Sequence, residues 1–255
     1  MNPDLVQQIE AKLVRAANEL ADLYSRTALA LNALEVTSKH YEARNDLLAL
    51  NTEGKLPAYL RLPQERTTHI ARDALLERYR GVVPQYEHEN YFIRVVSIVD
   101  ACIEDTYEAC LGSDSSTVRK GHIASKVRSA WATGDDGLTE VAKYILAIAG
   151  LQPFADRRLV LETTFDGYCE IREIRHALVH NAGKLAPKRR DRLLQLHNRL
   201  PEDIRRHSWA TRFLEADSVE LDLEAVLTMR KWTHDFFLMP LRDAFTAAAH
   251  APNAA

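Results

Sequence analysis

Glycine is scarce in this chain: nine residues in 255, against an abundance of Ala, Leu, Glu and Arg. Few runs alternate polar and apolar residues as half-buried strands do, so the composition argues against a β-rich fold and for a nearly all-α one. Cysteine is rarer still. Cys102, Cys110 and Cys169 form no CxxC pair and no zinc spacing. Such an odd, sparse set suits a reducing compartment better than a disulfide framework. No stretch approaches the roughly 20 apolar residues of a membrane span. The opening MNPDLVQQIEAKLVRAANEL is amphipathic and charged throughout, unlike a secretion signal. An excess of one charge is missing too: the formal net charge is −3, with 27% of residues charged. Nucleic-acid binding must therefore rest on a local patch. Walker, GxGxxG and G-x-S-x-G loops are absent. A cytoplasmic protein with no membrane partner and no cofactor is the expectation.

What is present is helical period. Pro3 and Asp4 open a first helix, and Leu5, Ile9, Leu13, Leu20, Tyr24, Ala28 and Leu31 keep its spacing. It is expected to reach Leu50 with a break near Thr37–Ser38, so residues 1–50 read as a helical arm or hairpin. Gly54, Pro57 and Pro63 mark a linker over Asn51–Thr68, and a helix is expected from about Gln64 to Arg80, with Pro84 as a further break. Residues 51–86 thus form a linker plus helix, and residues 87–250 a helical domain. Its first helix carries the apolar stripe Phe92, Val95, Val96, Val99, Cys102 and Ile103, with Asp100 and Glu104 off the stripe. Helices follow around Ile123–Ala132, Leu138–Ala149, Ala155–Asn181 and Pro187–Arg199. A basic turn (Pro201–Arg206), a short strand or extended loop (FLEADSVELD) and a closing helix (LEAVLTMRKWTHDFFLMPLRDAF) complete the chain.

The run EIREIRHALVHNAGK, Glu170 to Lys184, concentrates the chemistry. On a helical wheel Ile171, Ile174 and Leu178 fall within about 60° and form the buried stripe. Arg172, His176 and His180 stack at i, i+4 spacing beside it, and Gly183 offers a left-handed cap. Arg175 lies at the edge of the apolar face, where a guanidinium needs a carboxylate or an anionic ligand. Asp100 and Glu104 are the carboxylates expected to hold it. Histidines, as proton-exchanging side chains, and an arginine that grips phosphate are the equipment for splitting an RNA phosphodiester with its own 2′-OH and without metal. Two other readings remain: a merely solvated face, and a zinc site from the H-x3-H spacing, although no acid lies between these histidines as in H-E-x-x-H.

The stretch RHALVH, Arg175 to His180, resembles the signature of the HEPN superfamily: arginine, a polar residue, three more residues, histidine. YFIRVVSIVDACIED is similar to that family's early core helix, and DSVELDLEAVLTMRKWTHDFF to its closing element, so the resemblance spans roughly Glu87 to Ala248. It implies a HEPN-like helical bundle with an N-terminal helical extension, a homodimer with two motifs in one cleft, and a metal-independent endoribonuclease of the toxin–antitoxin, anti-phage or RNA-processing kind. Arg175 and His180 would be the catalytic pair and His176 their polar companion, with Asp100, Glu104, Arg172 and Asn181 in support. An antitoxin protein is a possible partner, but the tyrosine that some partners modify, two residues after the histidine, is here Ala182. Other members of the superfamily have lost catalysis and act as interaction or regulatory modules, and that is the alternative function.

From Lys184 to Arg206 the chain has eight Lys/Arg against three Asp/Glu. Lys184, Lys188, Arg189, Arg190 and Arg192 are the residues expected to steer an RNA backbone, unless the run is simply the solvated face of a helix with Leu193, Leu194 and Leu196 inward. Arg119, Lys120, Lys126 and Arg128 form a weaker patch. Trp131, Trp209 and Trp232 are expected in the core or at an interface.

Overall fold

The computed structural model describes residues 3–44, 48–50, 68–113, 141, 144, 145, 161–205, 208–216 and 218–238, of which 3, 48–50, 68–69, 161–165, 204 and 236–238 are described by their backbone alone. The first helix, α1 (Pro3–Glu42), is uninterrupted, so neither a hairpin nor a break at Thr37–Ser38 forms. Ser38 sits within it, its hydroxyl donating to the Glu35 carbonyl at 2.9 Å. A hydroxyl satisfied this way adds no broken turn. Asp4 in the first turn and Lys39 and His40 in the last suit the helix dipole. Ion pairs Arg15–Glu19, Asp22–Arg26 and Glu35–Lys39 lace the exposed face at i, i+4. The opposite face buries Leu5, Ile9, Leu13, Leu20 and Leu23.

Strand β1 (Leu48–Leu50) pairs antiparallel with β2 (Thr68–Ile70), Ala49 opposite His69. The strand occupies part of the expected Gln64–Arg80 helix, so α2 begins only at Arg72 and ends at Glu77. A π turn over Arg78–Val82 leads directly into α3 (Val83–Ser113). Pro84 therefore does not break the chain, and the expected boundary at residue 87 falls inside a helix. A proline ring clashes with the carbonyl four residues back, here that of Arg80. A widened π turn at that place relieves the clash. α3 buries its stripe as the sequence predicts: Phe92, Val95, Val96, Val99, Cys102 and Ile103. Burial pushes the Cys102 and Cys110 thiols up to about 11 and about 12.

Of the two helices expected between residues 123 and 149, only Val141, Tyr144 and Ile145 are among the described residues, all buried. The remainder of those helices, Trp131 and the patch at Arg119–Arg128 lie outside the described residues, as does the expected start of the next helix at Ala155. α4 (Leu161–Asn181) carries the RHALVH stretch. α5 (Pro187–Arg199) follows as predicted, with proline in its first turn. Leu193 and Leu196 point inward, but Leu194 is 46% exposed because it is a helical step away from that face. The short α6 (Glu202–Arg205), a 3-10 turn (Ala210–Arg212) and α7 (Leu223–Trp232) complete the described elements, with a π turn over Thr233–Leu238. The expected strand in FLEADSVELD reduces to a single bridge between Ser218 and Lys184. Asp222 caps α7 by accepting from the Ala225 N–H at 2.7 Å. The described chain is thus predominantly helical. One core joins α1, α3, α4, α5 and α7, through residues such as Ile9, Val95, Ile174, Leu196 and Met229. Trp209 meets Phe92 edge-on, and Trp232 stacks on Tyr168 with centroids 5.6 Å apart, so both tryptophans pack internally. Among the described residues no helix is long and apolar enough to cross a membrane.

α4 ends in two consecutive left-handed residues, Ala182 (φ 50°) and Gly183 (φ 78°). Gly183 donates to the Ala177 carbonyl at 3.0 Å and accepts from the Val219 N–H at 2.8 Å. A Cβ added at Gly183 would lie 3.3 Å from the Val219 carbonyl oxygen. Gly183→Ala is therefore expected to cost about 1–2 kcal/mol, from the left-handed conformation and this close approach together. Urea unfolding followed by circular dichroism measures it, and an unchanged midpoint would show that the cap tolerates a side chain.

Candidate functional site

The last three turns of α4 present one exposed sector between two packed walls. Ile171, Ile174, Ala177 and Leu178 are buried in the core, while Val179 is 41% exposed and His180 is exposed. α3 forms the wall beside Arg172 and Arg175. α5 forms the wall beside His176.

On the α3 side the Tyr168 hydroxyl donates to Asp100 Oδ1 at 2.7 Å and lies 3.3 Å from the Val96 carbonyl. Arg172 Nε stands 3.4 Å from the same carboxylate oxygen. Burial pushes the Asp100 carboxyl above its usual range, with Arg172, the Tyr168 hydroxyl and Arg175 pulling it back. Asp100 thus meets Arg172 and Tyr168 directly, while Arg175, for which the sequence offered it as a partner, acts on it through charge alone. Tyr168 and Arg172 set the level at which α3 meets α4, two turns and one turn before Arg175. Glu104, the other expected partner, is exposed and makes no hydrogen bond or ion pair among the described residues. Arg175 is half-buried. Its Nε is fully buried and has no hydrogen-bond partner among the described residues.

On the α5 side Arg189 reaches back to α4. Its Nη1 donates to Glu173 Oε2 at 2.7 Å and its Nη2 lies 3.1 Å from His176 Nε2. The Glu173 residue is 4% exposed. The rings of His176 and His180 are 4.6 Å apart and tilted by 44°. Burial first, then the charges of Arg189 and His180, hold the His176 imidazole below its ordinary pKa. Asn181, half-buried, lends its carbonyl to the Lys184 N–H at 3.0 Å.

The basic run divides. Lys184 and Lys188 are exposed and Arg192 is half-exposed. Arg190 donates from Nη2 to the Ala216 carbonyl at 2.8 Å, and Arg189 is engaged as above. Those two guanidinia have intramolecular work, whereas the two lysines face solvent. Among the described residues no group of three or more His, Cys, Asp or Glu is arranged to hold a metal ion.

The far face of α4 carries a second buried acid. Glu170 is fully buried, and its Oε2 accepts from the Trp209 N–H at 3.1 Å and the Ala210 N–H at 3.5 Å. Its Oε1 has no partner among the described residues. Burial pushes this carboxyl up to about 7, with the two amides and Ser208 opposing and Asp166 assisting. Ser208 is in turn 2.8 Å from His197 Nδ1.

No family model, curated protein or solved structure matches this chain. The site therefore stands on its own geometry. Three of its members carried no distinct signal in the sequence: Tyr168, Glu173, and Arg189 as the partner of His176. Tyr168 and Ile171 are both buried in this chain's own core and belong to no exposed margin.

Proposed function

We propose that this protein is a metal-independent endoribonuclease of the HEPN type, with Arg175 and His180 as its catalytic pair. In the reaction the ribose 2′-oxygen attacks the adjacent phosphorus, the P–O5′ bond breaks, and a 2′,3′-cyclic phosphate and a 5′-hydroxyl result. An imidazole takes the 2′-OH proton and the departing 5′-oxygen gains one, so proton count is conserved. A guanidinium neutralises the charge that builds on the phosphoryl oxygens. The observation that carries the reading is Arg175. The buried Nε atoms of Arg190 and Arg205 are unpartnered as well, but those residues spend Nη groups on backbone carbonyls, whereas Arg175 has no hydrogen bond or ion pair among the described residues, which suits its guanidinium to take an anion. Exposed Lys184 and Lys188, beyond the end of the same helix, suit an approaching RNA backbone. Asp100 supports Arg175 by charge and Arg172 supports it by holding Asp100, and His176 supports His180.

The reading includes a homodimer. With Tyr168 and Ile171 inside the core, Arg172, Arg175 and Val179 are left to face a second copy across a two-fold axis. It also extends to a role in a toxin–antitoxin, anti-phage or RNA-processing system.

The purified full-length protein, incubated with total RNA in EDTA, is expected to cut it and to leave 2′,3′-cyclic phosphate ends. Activity that vanishes in EDTA and returns with a divalent ion would refute the mechanism. A folded protein inert on RNA under every condition would favour the interaction-module reading.

A further inference from the structure

The contact between Arg189 and His176 has a stereochemical consequence. A guanidinium has five N–H donors and no acceptor. At 3.1 Å from Arg189 Nη2, His176 Nε2 must therefore be the acceptor. Its lone pair faces the arginine, so the ring proton sits on Nδ1 and the imidazole is neutral. A protonated ring would set N–H against N–H. The arginine is itself fixed. Its other nitrogen is 2.7 Å from Glu173, a carboxylate 4% exposed that needs a cationic partner to be ionised there. Arg189 stands in the first turn of α5, where its own N–H bonds the Ala186 carbonyl at 2.8 Å. The clamp thus ties the start of α5 to the middle of α4.

We propose that Arg189 and Glu173 are positioning residues that lock His176 as the neutral Nδ1–H tautomer, leaving His180 as the one member of the neighbouring pair that exchanges protons with substrate. The second half of this statement rests on the ribonuclease reading; the tautomer does not. The charged and titratable groups around His176 are Arg189 from α5 and Glu173, Arg175 and His180 from its own helix. Glu173 alone favours a charged ring; the others, with burial, oppose it. His180 is exposed and makes no hydrogen bond among the described residues, so both of its nitrogens stay available. Arg189 accordingly differs in role from Lys184 and Lys188, although all three belong to one basic run. It acts on the histidine pair and not on the RNA backbone.

Two readouts test this on the full chain. In nitrogen-15 spectra of the imidazoles, His176 is expected as a single Nδ1–H tautomer at pH 7. Arg189→Gln should release it to a mixture of tautomers and raise its titration midpoint, and Arg189→Lys should restore part of the lock, since one ammonium cannot serve both partners as a fork does. If Arg189→Gln fails to fold because Glu173 is left buried and alone, the Glu173→Gln, Arg189→Gln double variant removes both charges and should show the same release. On RNA, Arg189→Gln should lower kcat about tenfold with little change in KM, the pattern of lost alignment and not of lost binding. The salt dependence of RNA binding should stay as in the wild type, because no phosphate contact is lost. A wild-type His176 protonated on Nε2 at pH 7 overturns the proposal, as does an unchanged tautomer in both variants. A raised KM with unchanged kcat also overturns it and returns Arg189 to RNA binding. A locked His176 in a protein that never cuts RNA removes the ribonuclease reading and leaves the clamp.

Discussion

His180→Ala and Arg175→Ala are each expected to lower RNA cleavage by at least about a hundredfold, the usual scale for losing a positioned proton-transfer group or a transition-state cation. Neither should unfold the protein. His180 is exposed, and exposed substitutions away from special features stay within about 0.5 kcal/mol. Arg175 is half-buried, but its Nε has no partner among the described residues, so alanine there removes an unsatisfied group and takes from Asp100 only a charge that makes no direct bond. Arg172→Ala is the contrasting control. It strips the nearer charge partner from Asp100, which then keeps the Tyr168 hydroxyl and the more distant charge of Arg175, so it should lower stability along with activity. Cleavage rates read beside urea midpoints separate the two patterns. Full activity in both His180→Ala and Arg175→Ala would sink the assignment.

The second large effect concerns Glu170. Its carboxyl is pushed up to about 7, above the 4.5 of an ordinary glutamate, so the folded chain holds this proton more tightly than the unfolded one. Stability from that preference is complete below about pH 4.5 and is lost as pH rises through 7. A gap of this size corresponds to about 3 kcal/mol. Glu170→Gln cannot titrate. Relative to that variant, the wild type should lose about this much stability between pH 4.5 and pH 8, within a factor of two. Asp166, His197 and Arg205 nearby are common to both proteins and cancel in the difference. Unfolding free energies at four pH values decide it; parallel curves for the two proteins would show that Glu170 is ionised throughout.

Much of the fold was legible where spacing and punctuation agree. Pro187 and a run of helix formers announce α5, and Gly183 announces the end of α4, because each has a local physical reason to be there. The departures arise where distant parts of the chain decide. Pro84 looks like a break until the π turn before it is known, and that turn is a product of packing. Thr37 and Ser38 look like a hinge, yet Ser38 satisfies its hydroxyl within the helix. In the site, the wheel placed Arg172, His176 and His180 in one column. Which acid meets which base depended on the level of α3 against α4 and on how α5 crosses, neither of which is written in local sequence. Asp100 met Arg172 for that reason. Arg189 and Arg190 turned inward for the same reason, while Lys184 and Lys188, alike in charge, stayed outside.

α3, made earlier, ties α4 through Asp100 to Tyr168 and Arg172, but the other ties come from later in the chain: Arg189 on Glu173 and His176, the Trp209 and Ala210 amides on Glu170, Val219 on Gly183, and Trp232 against Tyr168. A ribosome delivers these segments in that order, after the RHALVH stretch has already left the tunnel. The helix can coil as soon as it emerges, but its buried acids then lack partners and its histidines lack a fixed pose. Competence therefore lags behind synthesis. A nascent polypeptide stopped short of Arg189 carries every reactive side chain of the site without the frame that aims them, and the stretch from Arg189 to Trp232 is what arms the molecule.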